Sequence, residues 1–213
     1  MASKPIPTFQ EEEALQHRGY HLIAGIDEAG RGALAGPVVA AAVMLPADYK
    51  APWLSRVRDS KLLSPGQREI LYREIRAASL STGVGVIAPD IIDAQNILKA
   101  TRLAMEAAVA ALRPVPQWLL IDYLRLPAIK LPQTGIPHGD TLCLSIACAS
   151  IVAKVTRDHL MVELDTAYPG YSLSRHKGYG TRIHLECLHR LGPCPIHRRT
   201  FQPVRACRRP DET

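Results

Sequence analysis

Two apolar runs near the N-terminus, HLIAGI (residues 21–26) and PVVAAAVML (37–45), are separated by the ten residues DEAGRGALAG. A parallel crossover needs about a dozen residues or more, so this glycine-rich connection predicts an antiparallel hairpin of two buried strands. Everything downstream must then be added to a sheet already begun. Ser64, followed by Pro65 at a first helical position, opens an amphipathic helix to about Ser79, with Ile70, Leu71, Ile75 and Leu80 spaced for one apolar face. STGVGVIAP (81–89) reads as a third strand, residues 91–112 as a helix ending before Pro114, and QWLLID (117–122) as a fourth strand. Residues 124–139, with three prolines and two glycines, are loop-like with one short strand near Ile136. The most hydrophobic helix follows, from Thr141 to about Tyr168, carrying Leu142, Ile146, Ile151, Val152, Val155 and Leu160. One more helix is expected over 181–191. Strands first, then alternating helices and strands, then helices, predict an α/β fold: a mixed sheet covered by helices.

The net charge of +6 is unevenly spread. Between Arg175 and Arg209 stand nine Lys or Arg and one acid, Glu186, so the whole positive excess lies in the tail. Such a stretch is either a solvated face or a contact surface for a polyanion, most simply nucleic acid. The longest apolar run, residues 33–45, is broken by Gly36 and Pro37 and falls short of the roughly 18 residues that span a bilayer. The N-terminus has no apolar stretch before its three glutamates, unlike a secretory signal. Five cysteines make an odd count in a chain large enough to bury its own core, so no disulfide framework is implied. A cytoplasmic protein is expected.

Four acids stand where chemistry is expected in such a sheet. Asp27 and Glu28 follow the first apolar run, Asp122 ends the QWLLID strand, and Asp140 opens the long helix. Neighbours on a regular strand point to opposite faces, so Asp27 and Glu28 reach one site only if the strand breaks there, and the following glycines supply a break. Gathering carboxylates is costly unless protons or cations neutralise them. An oxygen-only donor set suits Mg²⁺ or Mn²⁺, and two such ions promote phosphodiester hydrolysis. An ordinary helix cap serves Asp140 equally well, and a turn cap serves Asp122.

Gly30, Gly32 and Gly36 come close to the dinucleotide fingerprint, with one residue too many and a strand rather than a helix after them. That argues against a nicotinamide-dependent oxidoreductase; a nucleic-acid-binding module without catalysis remains the other alternative. The segments GIDEAGRGALAGPVVAAAV (25–43), DSKLLS (59–64), LLID, HGD, SIACASIVAKVTRD (145–158), RHKGYGT (175–181) and HRRTF (197–201) closely resemble the ribonuclease HII family, in order along the chain.

The resemblance implies a ribonuclease H-like mixed five-stranded sheet flanked by helices. It also implies an N-terminal segment (1–20), a catalytic domain (21–170) and a basic helical C-terminal extension (171–213) that helps hold the duplex. The implied activity is hydrolysis of the RNA strand of RNA/DNA hybrids and nicking 5′ of single ribonucleotides in duplex DNA, by a monomer using one or two Mg²⁺ or Mn²⁺ ions and no organic cofactor. By the same resemblance the metal-binding and catalytic acids are Asp27, Glu28, Asp122 and Asp140, whereas Asp158 pairs with a neighbouring base. Gly30, Arg31 and Gly32 are implied to grip the ribonucleotide and Tyr179 to pack on the next sugar; Lys61, Lys177, Arg182 and Arg198 are candidate phosphate contacts, with surface solubility or cation packing as the alternatives. A replication-clamp contact through the tail is a further possibility. Tyr123, His138 and Cys148 depart from the family's usual residues. Cys187, His189, Cys194 and His197 superficially suggest zinc, but their spacing argues against it.

Overall fold

The computed structural model describes residues 6–207. Five strands, β1 (Ile23–Ala29), β2 (Val38–Met44), β3 (Ser81–Ile87), β4 (Trp118–Asp122) and β5 (Gln133–Ile136), form one sheet in the order β3-β2-β1-β4-β5. The β1–β2 and β2–β3 pairs are antiparallel, whereas β4 runs parallel to both β1 and β5. The predicted hairpin and mixed sheet are both present.

Helices cover both faces, which is why the central strands read as continuous apolar runs rather than alternating ones. On β2, Val38, Ala40, Ala42 and Met44 pack with Ala104, Met105 and Ala108 of α4 (Ile97–Ala110). Ala41 and Val43 face the other way, toward Ala147, Ile151 and Val152 of α6 (Leu144–Ala167), and α2 (Pro65–Ala78) adds Leu71 and Ile75 to that layer. Helix α2 begins with a capping box between Ser64 and Gln67. Its exposed Ile70, and Leu80 beyond its end, do not belong to the apolar face assigned to them.

Other boundaries also differ from expectation. The helix expected over 91–112 is two: α3 (Pro89–Gln95) stops at Asn96, whose φ of 66° turns the chain and whose side chain accepts from Lys99 N to cap α4. The helix expected from Thr141 also divides, into a single turn α5 (Gly139–Leu142) and α6, leaving Leu142 exposed. A short helix α1 (Gln10–Gln16) was not expected. Its buried Glu12 accepts from Ser145 N at 2.8 Å, pinning the N-terminal segment to the start of α6.

After α6 come α7 (Leu173–His176), α8 (Arg182–Leu191) and α9 (Gln202–Ala206). They pack around the segment joining β1 to β2: Ala35 shares a buried cluster with Met161, Tyr171, Leu173, Cys187 and Ile196. Among the described residues, no helix is long and apolar enough to cross a membrane.

Candidate active site

Strand β1 outruns its neighbour. The β1–β4 ladder ends at Ile26 opposite Ile121, so Asp27 and Glu28 project past it while still paired with Ala41 and Ala40 of β2. Strand β1 continues through Ala29, and the break expected from the glycines comes at Gly30, whose φ is +94°. Asp122 is the last residue of β4, and Asp140 lies in α5 just beyond β5. His138, in the left-handed region, turns the chain so that Gly139 N donates to Asp122 Oδ1 at 2.7 Å. All four acids consequently line one cavity of about 240 Å³ at the carboxyl ends of the parallel strands, together with Gly30, Arg31, Gly32, Ser60, Lys61, Ser150, Lys154 and Tyr179.

The cavity is electrostatically frustrated. Burial, and then the charges of Glu28 and Asp122, push the Asp27 carboxyl well above its ordinary value. Burial raises Glu28 too, against the opposing pull of Arg31, whose Nη1 lies 3.2 Å from Glu28 Oε1. Asp122 is raised by burial despite the Gly139 amide, and Asp140 by burial and by its neighbours Asp122 and Asp59. Partial burial would lower Lys61, but Asp59, Asp140, Asp27 and Asp122 together raise it, so the cavity reads as an anionic field to a cation placed inside it.

This donor chemistry fits hard divalent cations: oxygen-only carboxylate ligands, raised carboxyls and, among the described residues, no competing imidazole or thiolate lining the cavity. The oxygens are not drawn into a ready cage, since among the described residues no three His, Cys, Asp or Glu side chains surround one point. Asp27 Oδ1 takes the Glu28 amide at 2.7 Å, and Glu28 and Asp122 are engaged as above, so like charges are held apart by local donors.

Tyr179 closes one side, with Lys154 Nζ 5.4 Å and Arg157 Cζ 5.2 Å from its ring centre. Four neighbours escaped the sequence reading: Asp59, Ser60, Ser150 and Lys154. Ser60 and Ser150 share a 3.0 Å hydroxyl contact, and Ser150 draws the Asp27 carboxyl down against its burial. The available signal was the spacing of Ser150 and Lys154 by four on the helix that also carries Ala147.

The basic residues assigned to phosphates separate. Lys61 lies in the cavity. Lys177 lines an adjoining groove and gives its ammonium to Ser174 O. Arg182 is 90 % exposed in an ordinary helical pair with Glu186, outside the cavity lining. Arg198 is 0 % exposed, which overturns its assignment as a phosphate contact: its guanidinium is consumed by the carbonyls of Gly36 and Arg31. Asp158 pairs with Lys154 at 2.6 Å, as expected. Of the departures, His138 is near enough for its charge to act on Asp122 and Asp140, Tyr123 is exposed, and Cys148 is buried in the α6 layer, its thiol pushed up by that burial.

The Cys and His residues of the tail have separate partners. His197 Nδ1 accepts from Cys194 N at 3.1 Å, leaving Nε2–H to donate to His184 Nε2 at 3.1 Å, while His184 Nδ1–H donates to Tyr179 O at 3.0 Å. Cys207 Sγ meets His189 Nδ1, and Cys187 Sγ accepts from Arg190. The relay from Cys194 to Tyr179 works only with neutral rings. Burial, then the charge of His184, lowers His197 to about 4, and burial likewise lowers His184 and His176. An unfolded chain would take up these protons first, so the histidines contribute a penalty that is absent above about pH 6.5 and grows as pH falls toward 4. Imidazole ¹⁵N spectra should show His197 titrating near pH 4; a midpoint near 6.5 would mean that the relay is not formed.

A family model described as Ribonuclease HII matches residues 24–204. A ribonuclease HII of Dehalococcoides mccartyi (strain BAV1) is 57 % identical over 199 residues, covering 93 % of this chain and 94 % of the relative. Among solved structures, the ribonuclease H2 of Pyrococcus horikoshii OT3 superposes with a TM-score of 0.70 at 28 % identity, covering 87 % of this chain and 96 % of the other. The ribonuclease HII in the PCNA:RNase HII complex from Archaeoglobus fulgidus also gives 0.70 at 28 % identity, covering 88 % and 97 %.

Proposed function

Because the chain belongs to the ribonuclease HII family, and is therefore a metal-dependent endoribonuclease, we propose that it nicks duplex DNA on the 5′ side of a single embedded ribonucleotide and cuts the RNA strand of RNA/DNA hybrids, leaving a 3′-hydroxyl and a 5′-phosphate. The observation that carries this reading is the shared cavity of Asp27, Glu28, Asp122 and Asp140 with the Gly30–Arg31–Gly32 turn and Tyr179.

Asp27, Glu28, Asp122 and Asp140 hold one or two Mg²⁺ or Mn²⁺ ions, and their raised protonation in the free protein is the electrostatic cost that a bound cation removes. Such ions, when bound, lower the pKa of an attacking water and offset charge on the departing 3′-oxygen. Lys61 balances the acids and faces the strand's phosphate. Arg31, 40 % exposed, swings from Glu28 toward a neighbouring phosphate, while Lys177 reaches the strand from the adjoining groove.

The turn reads the sugar. The 2′-hydroxyl is the group that distinguishes RNA from DNA, and main chain can approach it only where no side chain intervenes. At Gly32 the protein itself has no use for glycine: a Cβ there would meet nothing within 4 Å, and φ is not in the left-handed region. That open space leaves room for a ribose to approach the main chain. Tyr179, braced by Lys154 and Arg157, packs on the following deoxyribose.

The protein acts as a cytoplasmic monomer with a basic extension over 171–213 gripping the duplex. The Archaeoglobus protein forms a complex with PCNA; for this chain we place a clamp contact on the tail, whose residues 208–213 lie outside the described residues.

The test is a 5′-labelled duplex carrying one ribonucleotide. With Mn²⁺ or Mg²⁺ the product should end immediately 5′ of the ribonucleotide in a polymerase-extendable 3′-hydroxyl, while the all-DNA duplex stays whole. A ribonucleotide duplex left intact with both ions would sink the reading.

A further inference from the structure

Two guanidinium groups lie inside the protein and, among the described residues, neither forms an ion pair, although the charges of Asp158 and Asp93 act on Arg157 and Arg198 from farther off. Arg157, on α6, is 0 % exposed; its Nε donates to Pro37 O at 2.9 Å, Nη2 to Ala35 O at 3.1 Å and Nη1 to Lys177 O at 2.9 Å. Arg198, equally buried, donates from Nε and Nη2 to Gly36 O at 3.1 and 2.9 Å and from Nη1 to Arg31 O at 2.8 Å. Arg157 also lies over the Tyr179 ring and Arg198 over the Phe201 ring, yet burial outweighs these partners and lowers both guanidinium groups, and the charge of Arg157 lowers Arg198 further. Packing alone does not account for them, since an apolar side chain fills space at lower cost.

What the two forks hold is specific. Their acceptors are carbonyls of Arg31, Ala35, Gly36 and Pro37 on the β1–β2 connection and of Lys177 beside Tyr179. The two loops also meet directly, with Leu34 N donating to Gly178 O at 2.8 Å, and a Cβ on Gly178 would overlap Ala35 O. Arg157 lies beneath both reading elements: it would collide with any Cβ on Gly30, and its Cζ is 5.2 Å from the Tyr179 ring centre.

We propose that Arg157 and Arg198 are positioning residues for ribonucleotide recognition, fixing the Gly30–Arg31–Gly32 turn and the Tyr179 loop as one rigid jaw before substrate arrives. This rests on the reading that these elements recognise the ribonucleotide junction. Lysine at either site keeps the charge but not the planar fork, so it cannot satisfy two or three carbonyls in fixed directions.

Arg198→Lys and Arg157→Lys are compared with the unsubstituted protein by measuring kcat and KM on the ribonucleotide duplex, and Ki for the all-DNA duplex as competitor. The ratio Ki/KM reports discrimination. It should fall about tenfold in each variant through a rise in KM, with Ki within about twofold because the charge remains. A loss confined to kcat and Tm, with Ki/KM unchanged, would show that the arginines only hold the fold and overturn the inference. If neither variant folds, amide exchange on the unsubstituted protein decides. The Leu34 amide should be strongly protected without nucleic acid and no more so with it, whereas protection appearing only with duplex would mean that the jaw is not preset. An unsubstituted Ki/KM near one would instead bring down the ribonucleotide reading itself.

Discussion

Asp27→Asn should lower kcat on the ribonucleotide duplex by about 10³-fold or more and at the same time make the cation-free protein harder to unfold. The activity loss follows from removing one negative ligand at the centre of the acid cluster, where about 4 kcal/mol of transition-state stabilisation corresponds to that factor. The stability gain follows from the same charge. Asp27 is 5 % exposed, and burial, Glu28 and Asp122 together hold its carboxyl well above the ordinary value. The folded state thus binds this proton more tightly than the unfolded chain does. Its stability contribution is largest at low pH and is lost as pH rises through the elevated folded value.

With chelator the penalty grows as pH rises through that elevated value, and asparagine abolishes it while keeping an oxygen for the Glu28 amide. A gain of about 1–3 kcal/mol is expected, with roughly 2–4 °C in Tm for each kcal/mol in a chain of this size. The gain should shrink toward pH 4, and added Mn²⁺ should raise the Tm of the unsubstituted protein more than that of the variant. Calorimetry with and without the ion checks each part. A variant that is inactive and also less stable in chelator at pH 8 would mean that the acids are not a strained cation site.

The parts of the fold that were legible share a cause: their burial pattern is local. Strands covered on both faces leave unbroken apolar runs, so the β1–β2 hairpin could be found without tertiary knowledge. Helix α1 left no such trace, because only Glu12 and Leu15 of its seven residues are buried and one of them is charged. The Asn96 break was hidden because apolar residues continue in phase on either side of it. Of the acids lining the cavity, Asp27, Glu28 and Asp122 stand out because they lie near strand ends, where carboxylates gain nothing from packing, whereas Asp140 in α5 looks like an ordinary helix cap. Arg198 was misjudged for the converse reason. An arginine in a basic tail looks like a phosphate contact, and only the folded chain shows Gly36 O and Arg31 O waiting for it. Ser150 and Lys154 are ordinary helix letters until α6 is laid against β1.

The two glycines flanking Arg31 should answer to substitution in opposite ways. Gly30→Ala places a Cβ at φ +94°, in a region that costs a non-glycine residue about 1–3 kcal/mol, and drives it into the buried Arg157 side chain. That side chain is pinned by three carbonyls and cannot yield without releasing Pro37, Ala35 and Lys177, so overpacking adds a further ~1–3 kcal/mol. A total destabilisation of about 3 kcal/mol or more is expected in urea titrations, with KM raised because the turn and Tyr179 separate. Gly32→Ala meets open space at an ordinary φ, so its unfolding midpoint should stay within about 0.5 kcal/mol of the unsubstituted protein. On the proposed reading a ribose approaches this glycine, so KM for the ribonucleotide duplex should rise about tenfold while Ki for the all-DNA duplex stays nearly constant. The pair separates a glycine required by the protein's own packing from one required by its substrate. If Gly32→Ala binds and cuts normally, the turn does not approach the sugar closely, and recognition of the 2′-hydroxyl must come from elsewhere in the cavity.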